Sequence, residues 1–236
     1  MQLFYAPDIE EDKSQFLFDK NESRHIVKAL RKKPGDIINI TDGRGRHYQT
    51  TILEANEKKC SVQINRVDVL NKPWDYYLHI AIAPTKLNER TEWFLEKATE
   101  IGVDEITLIL CDRAERKSVK IERFEKIIHA AAKQSLKFIF PKINPLISFD
   151  DFVESRKDRG LNVIAHCDKG QQQPLKTMLN PKESVCISIG PEGDFSPREI
   201  KKAKEFSFRE ISLGKSRLRT ETAAIVACHT VSLLNE

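Results

Sequence analysis

The sequence contains no Cys-x-x-Cys pair. Its five cysteines, Cys60, Cys111, Cys167, Cys186 and Cys228, are odd in number and scattered along 236 residues. That pattern speaks against a disulfide frame or zinc site and for buried thiols in a reducing compartment. The six histidines show no His-x-x-x-His or carboxylate spacing, so no metal is expected. No apolar run approaches the roughly 18 residues that a membrane span requires, and no membrane partner is expected. The opening MQLFYAPDIEED lacks the basic-then-apolar order of a signal peptide, which makes the cytoplasm the expected location. There is no Gly-x-Ser-x-Gly elbow to support a nucleophilic triad. No Gly-x-Gly-x-x-Gly opens the α/β part of the chain, which disfavours a Rossmann-type dinucleotide or methyltransferase site.

What is present suits a globular protein of two unequal domains. Hydrophobic residues make up 40%, enough for a core, and charged residues 31%. A net charge of +4 and a pI near 8.7 are mild, and the distribution of charge says more than its sum.

Residues 1–71 read as a small β-rich domain. Residues 37–40, 48–53 and 61–67 are strand candidates, and Asp42-Gly43-Arg44-Gly45 is a turn signal between two of them. One helix is expected over residues 22–31, with Ile26, Val27 and Leu30 inward. Arg24, Lys28 and Arg31 then fall at i, i+4 and i+7 on its other face, with Lys32, Lys33, Arg44 and Arg46 nearby. Such a face is commonly just solvated. Here acidic partners for i,i+4 pairs are nearly absent, so an anionic visitor such as RNA phosphate would relieve the repulsion.

Asn71-Lys72-Pro73 marks the boundary, and residues 72–236 form the second domain. Strands are expected at 77–83, 105–110, 161–166, 185–189 and 211–213, alternating with helices at 88–101 and 121–136. This order means a parallel sheet flanked by helices. Arg113, with Arg116, Lys117 and Lys120, lies on a charged loop, and Lys133 and Lys137 follow on the next helix. The stretch reads either as an exposed loop or as a second phosphate-contact stripe. His166 ends a strand at the edge of the sheet where ligands bind, and is a candidate for touching one.

The last quarter carries the densest signal. Val185–Ile189 and then residues 211–213 each empty into a glycine-containing turn that feeds a helix. Gly190 and Gly193 bracket Pro191-Glu192, and Gly214 repeats the device. Ser196-Pro197-Arg198-Glu199 has the spacing of a capping box with proline at the first helical position. Thr220 is the expected N-cap of the final helix, whose Ala223, Ala224, Val226 and Ala227 suit close packing. An ordinary βαβα ending would need only the glycines. The alternation of Arg217, Arg219 and Glu221 beside Leu218 is more charge than a structural turn requires.

GPEGDFSPREI followed by SLGKSRLRTETA resembles the signature of bacterial 16S ribosomal RNA uridine-N3 methyltransferases of the SPOUT superfamily. HIVKALRKKPGD and EKATEIGVDEI match the same family, so the resemblance covers the whole chain. Two departures stand out: Asp194 occupies a position where the family usually has a second glycine, and Lys215-Ser216-Arg217 replaces a Pro-Arg-Ile or similar. The resemblance implies an α/β fold, with a SPOUT trefoil-knot methyltransferase domain after a small N-terminal PUA-like RNA-binding β-barrel. It implies a last helix tucked through a loop, and S-adenosyl-L-methionine as cofactor. It places the cofactor against His166, Ile189, Gly190, Pro191, Gly193, Leu213, Gly214 and Leu218. It also implies RNA contact by Arg24, Lys28, Arg31, Arg113 and Lys137. The implied partners are 16S ribosomal RNA in the small ribosomal subunit, at a decoding-region uridine, and a second copy of the chain in a homodimer.

Uracil N3 bears a hydrogen at neutral pH, so methylation there requires a base or a cation that stabilises the uracil anion. Glu221 is the first candidate base and Glu192 the second, with Arg219 as the stabilising cation. Glu221 also has a purely structural reading, as a favourable charge at a helix N-terminus worth about 0.5 kcal/mol. Two other functions stay open at this level: a non-catalytic RNA-binding or ribosome-assembly factor of the same fold, and a SPOUT methyltransferase acting on transfer RNA.

Overall fold

In the computed structural model, which describes residues 2–157, 159–167 and 172–236, the backbone divides into two units. The first runs to Pro73 and takes in Ala132–Phe140. The second holds Trp74–Ala131 and Pro141–Glu236.

The first unit is built on strands β1 (Leu3–Tyr5), β2 (Gln15–Leu17), β3 (Ile37–Thr41), β4 (Arg46–Glu54) and β5 (Ser61–Val69), in the order β1-β3-β4-β5-β2. β3, β4 and β5 form an antiparallel meander, with β2 antiparallel on β5 and β1 parallel on β3. Alternation buries Ile38 and Ile40 of β3, Tyr48 and Ile52 of β4 and Val62 of β5, together with Phe4, Phe18 and Ile26. β1 and β2 are three residues each, too short for a period-2 pattern to show in the sequence.

The helix of this unit departs from expectation. Helix α1 (Lys20–Arg24), capped by Asp19 through a 2.8 Å bond from the Glu22 amide, widens into a π-helical turn, His25–Ala29, and ends there. Arg31 lies beyond it with φ +55°, in the left-handed position that closes a helix, and the Lys32 amide bonds the Ile26 carbonyl at 3.1 Å. The extra residue in the turn breaks the i, i+4, i+7 spacing, so Arg24, Lys28 and Arg31 do not share a helical face. The one acidic side chain of the segment, Glu22, pairs with Lys133 at 2.8 Å and with His25 at 3.3 Å, not with Arg24, Lys28 or Arg31. Arg44 and Arg46 both turn to the buried Asp42, and Arg46 also to Glu11.

Residues 132–140 belong to this unit through backbone bonds that no local pattern announces. Gly45 N donates to Phe138 O at 2.8 Å and Phe140 N to Gly43 O at 2.9 Å. Gly45 has φ +102°, and a side chain there would meet Leu70 O at 2.9 Å.

The second unit is a seven-stranded, wholly parallel sheet. Its elements are β6 (Tyr77–Ile82), α2 (Asn88–Ile101), β7 (Glu105–Leu110), α3 (Ile121–Gln134), β8 (Lys142–Ser148), α4 (Phe149–Ser155) and β9 (Leu161–Ala165). Then come β10 (Gln173–Pro174), α5 (Leu175–Met178), β11 (Ser184–Ile189), α6 (Pro197–Glu205), β12 (Arg209–Ser212) and α7 (Thr220–Leu233). The strand order is β10-β12-β9-β11-β6-β7-β8. β8 was not legible because Pro145 interrupts it. It is tolerated because β8 is an edge strand, beside a register irregularity in β7.

Both faces of the sheet are covered. Leu78, Ile80 and Ile82 of β6 and Val185, Ile187 and Ile189 of β11 pack with Phe94, Leu95 and Ala98 of α2 and Ala224, Ala227 and Val231 of α7. Ala81, Ile164 and Cys186 face the other way, onto Phe149 and Phe152 of α4 and Ile200 and Ala203 of α6. Register aligns Ile82 with Ile189, Ile189 with Ala165, and Ala165 with Ile211, so four strands end in one row. The chain reaches β11 only after leaving β6 in the opposite direction, which makes this row a switch point of the sheet.

α7 leaves β12 and runs back beneath β11 and β6 against α2. Thr220 is its first residue, not its cap. Arg219 occupies the cap position without a side-chain bond, and Thr220 Oγ1 instead donates to Gly190 O at 3.0 Å. The final helix is thereby tied to the loop after β11, and small Ala224 and Ala227 let it pass close.

Candidate functional site

The carboxyl ends of β9, β11 and β12 open into a cavity of about 770 Å³, walled by residues 165–167, 189–192 and 211–220 with Gln172, Asp194 and Ala223. A volume of that size holds a nucleoside-bearing ligand. His166, Ile189, Gly190, Pro191, Leu213, Gly214 and Leu218 all stand in this wall, as do Arg219 and Glu192. Gly193 and Glu221 do not.

The first loop has a packing reason for its glycines. A Cβ on Gly190 would lie 3.0 Å from the ring of Phe195 and 3.1 Å from its amide, so the missing side chain makes room for the loop itself. Gly193 turns away from the cavity, where a Cβ would meet Arg113 at 3.2 Å. Arg113 Nη1 donates to the carbonyls of Gly193 (3.0 Å) and Phe195 (3.3 Å), which makes it a brace for the loop.

Asp194 has φ +64°, a conformation that favours glycine but that Asp adopts more readily than bulkier residues. Its Oδ2 accepts the Cys167 amide and its Oδ1 the Phe195 amide, both at 2.8 Å. The departure from glycine thus keeps the turn and adds a link between the ends of β9 and β11. Glu192 Oε1 accepts the Lys86 amide at 2.9 Å, which draws in the loop after β6. Arg116 holds that same loop through the carbonyls of Thr85 (2.9 Å) and Lys86.

Behind the loop, the capping box of α6 is present as the sequence indicated. Glu199 N donates to Ser196 Oγ at 3.2 Å and Ser196 N to Glu199 Oε2 at 2.8 Å. The buried Glu199 also accepts the Asp112 amide at 2.9 Å. Asp112 in turn takes bonds from Ser196 and Arg198, which hold its carboxyl below the usual range, Arg198 most of all.

In the second loop Gly214 has φ +134° with open space around it, and Ser212 Oγ bridges the Gly214 amide and carbonyl. The Arg219 guanidinium is exposed on the wall and makes no hydrogen bond or ion pair among the described residues. His166 presents mainly backbone, since its side chain is 1% exposed. The imidazole Nε2 donates to Glu210 Oε1 at 3.1 Å, and Nδ1 accepts from Gln172 at 3.0 Å. Lys204, 2.8 Å from Glu210, holds that carboxyl below its ordinary value.

Glu221, the first candidate base, does not stand in the cavity wall. Its carboxylate is buried, with Oε1 3.8 Å from Arg90 Nε and Oε2 without a hydrogen-bond partner among the described residues. The first turn of α7 sends this side chain and that of Arg219 to different places.

Among the residues given to RNA contact, Arg24, Lys28 and Arg31 are exposed in the first unit and Arg113 is spent on the loop carbonyls. Lys137 is half-buried, and burial lowers its ammonium pKa. Sequence reasoning missed Ala165, Cys167 and Gln172 in the wall. The end of β9 in register with Ile189 places the first two, but no sequence pattern reveals that register. Among the described residues no group of three or more His, Cys, Asp or Glu is arranged around a metal position, and no helix is long and apolar enough to cross a membrane.

Comparison with known proteins agrees with this geometry. The family model described as an RNA methyltransferase domain matches residues 72–232, and that of an RNA methyltransferase PUA domain matches residues 18–65. Ribosomal RNA small subunit methyltransferase E of Buchnera aphidicola is 30% identical over 223 residues, covering 92% of this chain and 87% of that protein. The crystal structure of a probable rRNA-methyltransferase from Porphyromonas gingivalis superposes with a TM-score of 0.92 at 41% identity, over 100% of this chain and 98% of that one. A Legionella pneumophila structure in complex with the cofactor SAM gives a TM-score of 0.88 at 26% identity, over 99% and 97% of the two chains. The larger unit has the SPOUT methyltransferase fold and the smaller is PUA-like. With both parts matched in order and a relative at 30% identity along nearly its whole length, the protein belongs to the RNA methyltransferase family that includes the ribosomal RNA small subunit methyltransferases E.

Proposed function

We propose that this protein methylates N3 of a uridine in 16S ribosomal RNA, using S-adenosyl-L-methionine bound in the cavity at the ends of β9, β11 and β12. The observation that carries the reading is the pairing of that cavity with a free guanidinium, Arg219, on its wall. The cavity fits the cofactor in size, and its wall offers backbone from Ile189, Gly190, Leu213 and Gly214, which can address adenine edges without dedicated side chains. When bound, the cofactor supplies an electrophilic methyl group.

The residues of the chain then have two tasks, to hold the uracil in line and to manage its N3 proton. Arg219 can face the carbonyl oxygens beside N3 and stabilise the negative charge that develops as the proton leaves. Glu192 is the better-placed base. It stands in the cavity wall, its Oε1 is fixed by the Lys86 amide, and its Oε2 carries no bond among the described residues. Glu221 acts in this reading through its place at the head of α7 and beside Arg90.

The family resemblance supports a homodimer, a cytoplasmic location and the small ribosomal subunit as substrate. The test compares nuclease digests of 16S ribosomal RNA from a deletion strain with and without the restored gene. Restoration should return 3-methyluridine in one fragment. A digest unchanged between the two strains would refute the reading.

A further inference from the structure

The loop between β12 and α7 carries cations at alternate positions, Lys215, Arg217 and Arg219, all exposed and all in the cavity wall. None of the three side chains makes a hydrogen bond or ion pair among the described residues. The carboxylates that share the wall are Glu192 and Asp194, and both already accept backbone amides, Glu192 from Lys86 and Asp194 from Cys167 and Phe195. Three like charges within five residues therefore stand at the mouth of one cavity with no carboxylate turned to them. Other exposed cations of the unit also lack partners among the described residues, Lys201 and Arg209 among them, but neither of those lies in this cavity wall.

We propose that Lys215 and Arg217 are phosphate-binding residues, gripping the RNA backbone beside the nucleotide that enters the cavity. This rests on the reading that the cavity takes a nucleotide of an RNA strand. A base can reach the bottom of such a pocket only if its own flanking phosphates pass over the rim, which is where these two side chains stand. The competing source of anionic oxygen is the carboxylate of the cofactor. S-adenosyl-L-methionine bears two positive groups against that one carboxylate, so a cluster of three cations is a poor electrostatic match for it and a good one for a polyanionic strand. Arg219, deepest in the sequence toward α7, keeps its place at the uracil, while the other two address the strand.

The test uses the full chain carrying Lys215→Ala together with Arg217→Ala, beside a charge-keeping control, Lys215→Arg with Arg217→Lys. Binding of a short oligouridylate and of small ribosomal subunits is measured across a salt series, and cofactor affinity by calorimetry. The alanine pair should reduce the slope of log affinity against log salt by about 1.4, at roughly 0.7 per lost phosphate contact on a single strand. The control should keep the slope, and cofactor affinity should stay unchanged in both. An unchanged slope in a variant that melts like the parent overturns the proposal. So does a loss of cofactor affinity with the salt slope intact, which would assign the cations to the cofactor carboxylate. A reduced slope in a protein whose digest shows no 3-methyluridine supports the rim while rejecting the N3 assignment.

Discussion

Asp194 Oδ2 accepts the backbone amide of Cys167 at 2.8 Å, so one carboxylate joins the ends of two neighbouring strands in the wall of the cavity. The same residue holds φ +64° and bonds the Phe195 amide, which fixes the turn that follows β11. Asp194→Gly keeps the backbone conformation available and removes both bonds, the link to Cys167 and the one to Phe195. The expected result is a melting temperature several degrees below the parent's, from the loss of charge-assisted bonds inside the protein, and a cofactor affinity weaker by about tenfold as the loop loosens. Calorimetric titration with S-adenosyl-L-methionine checks it, and unchanged affinity would show the link to be idle.

Gly190 tests whether the loop is built around Phe195. Gly190→Ala places a methyl group 3.0 Å from a ring that is itself packed on Phe149 at 5.2 Å between centroids. The variant should melt several degrees lower, and Phe195→Leu in the same chain should recover part of that loss. A double-mutant cycle should give a coupling of at least about 0.5 kcal/mol. Strict additivity of the two changes would contradict the packing argument.

The two glutamates separate by single-turnover kinetics. Glu192→Gln should slow methyl transfer by about 10²-fold or more, with part of the rate returning at high pH as solvent takes the proton. Glu221→Gln, off the cavity beside Arg90, should change the rate by less than about threefold. Arg219→Lys should also slow the step, because a point charge replaces a planar fork, and its deficit should depend less on pH. The reverse order of the glutamates would restore Glu221 as the base.

His79 gives the second unit a pH dependence remote from the cavity. Its ring is buried on β6 with Nε2 2.8 Å from Thr107 Oγ1 and an edge against Phe152. Burial pushes its pKa down to about 4, against the partial offset of Glu105 and with Arg156 and Lys142 acting in the same direction as burial. The unfolded chain binds this proton near pH 6.5, so stability is full above that value and falls as pH drops toward about 4. The slope from one proton is at most about 1.4 kcal/mol per pH unit. Urea unfolding between those limits should show a steeper decline for the parent than for His79→Gln. Equal slopes would remove His79 as the cause.

What the sequence revealed is what is local. The capping box at Ser196 and Glu199, the strands with apolar alternation and the glycine turns after β11 and β12 are all decided within a few residues. What stayed hidden depends on partners far along the chain. Residues 132–140 bond to the turn at Gly43 and Gly45, some 90 positions away. The direction of Glu221 follows from how α7 lies on α2, and the role of Arg113 from the carbonyls it meets 80 positions later. Pro145 hid an edge strand, and a single widened turn at His25–Ala29 undid an otherwise regular basic stripe.

The claim that organises all of this is methyl transfer to uracil N3. Small ribosomal subunits from a strain lacking the activity can be incubated with the purified protein and S-adenosyl-L-methionine bearing a deuterated methyl group. Mass spectrometry of the nucleosides then reads where the label sits. The account predicts the label on the uracil base of one uridine, co-eluting with 3-methyluridine and absent with Arg219→Ala. Label on ribose, on another base, or on no nucleoside despite saturated cofactor binding would contradict it.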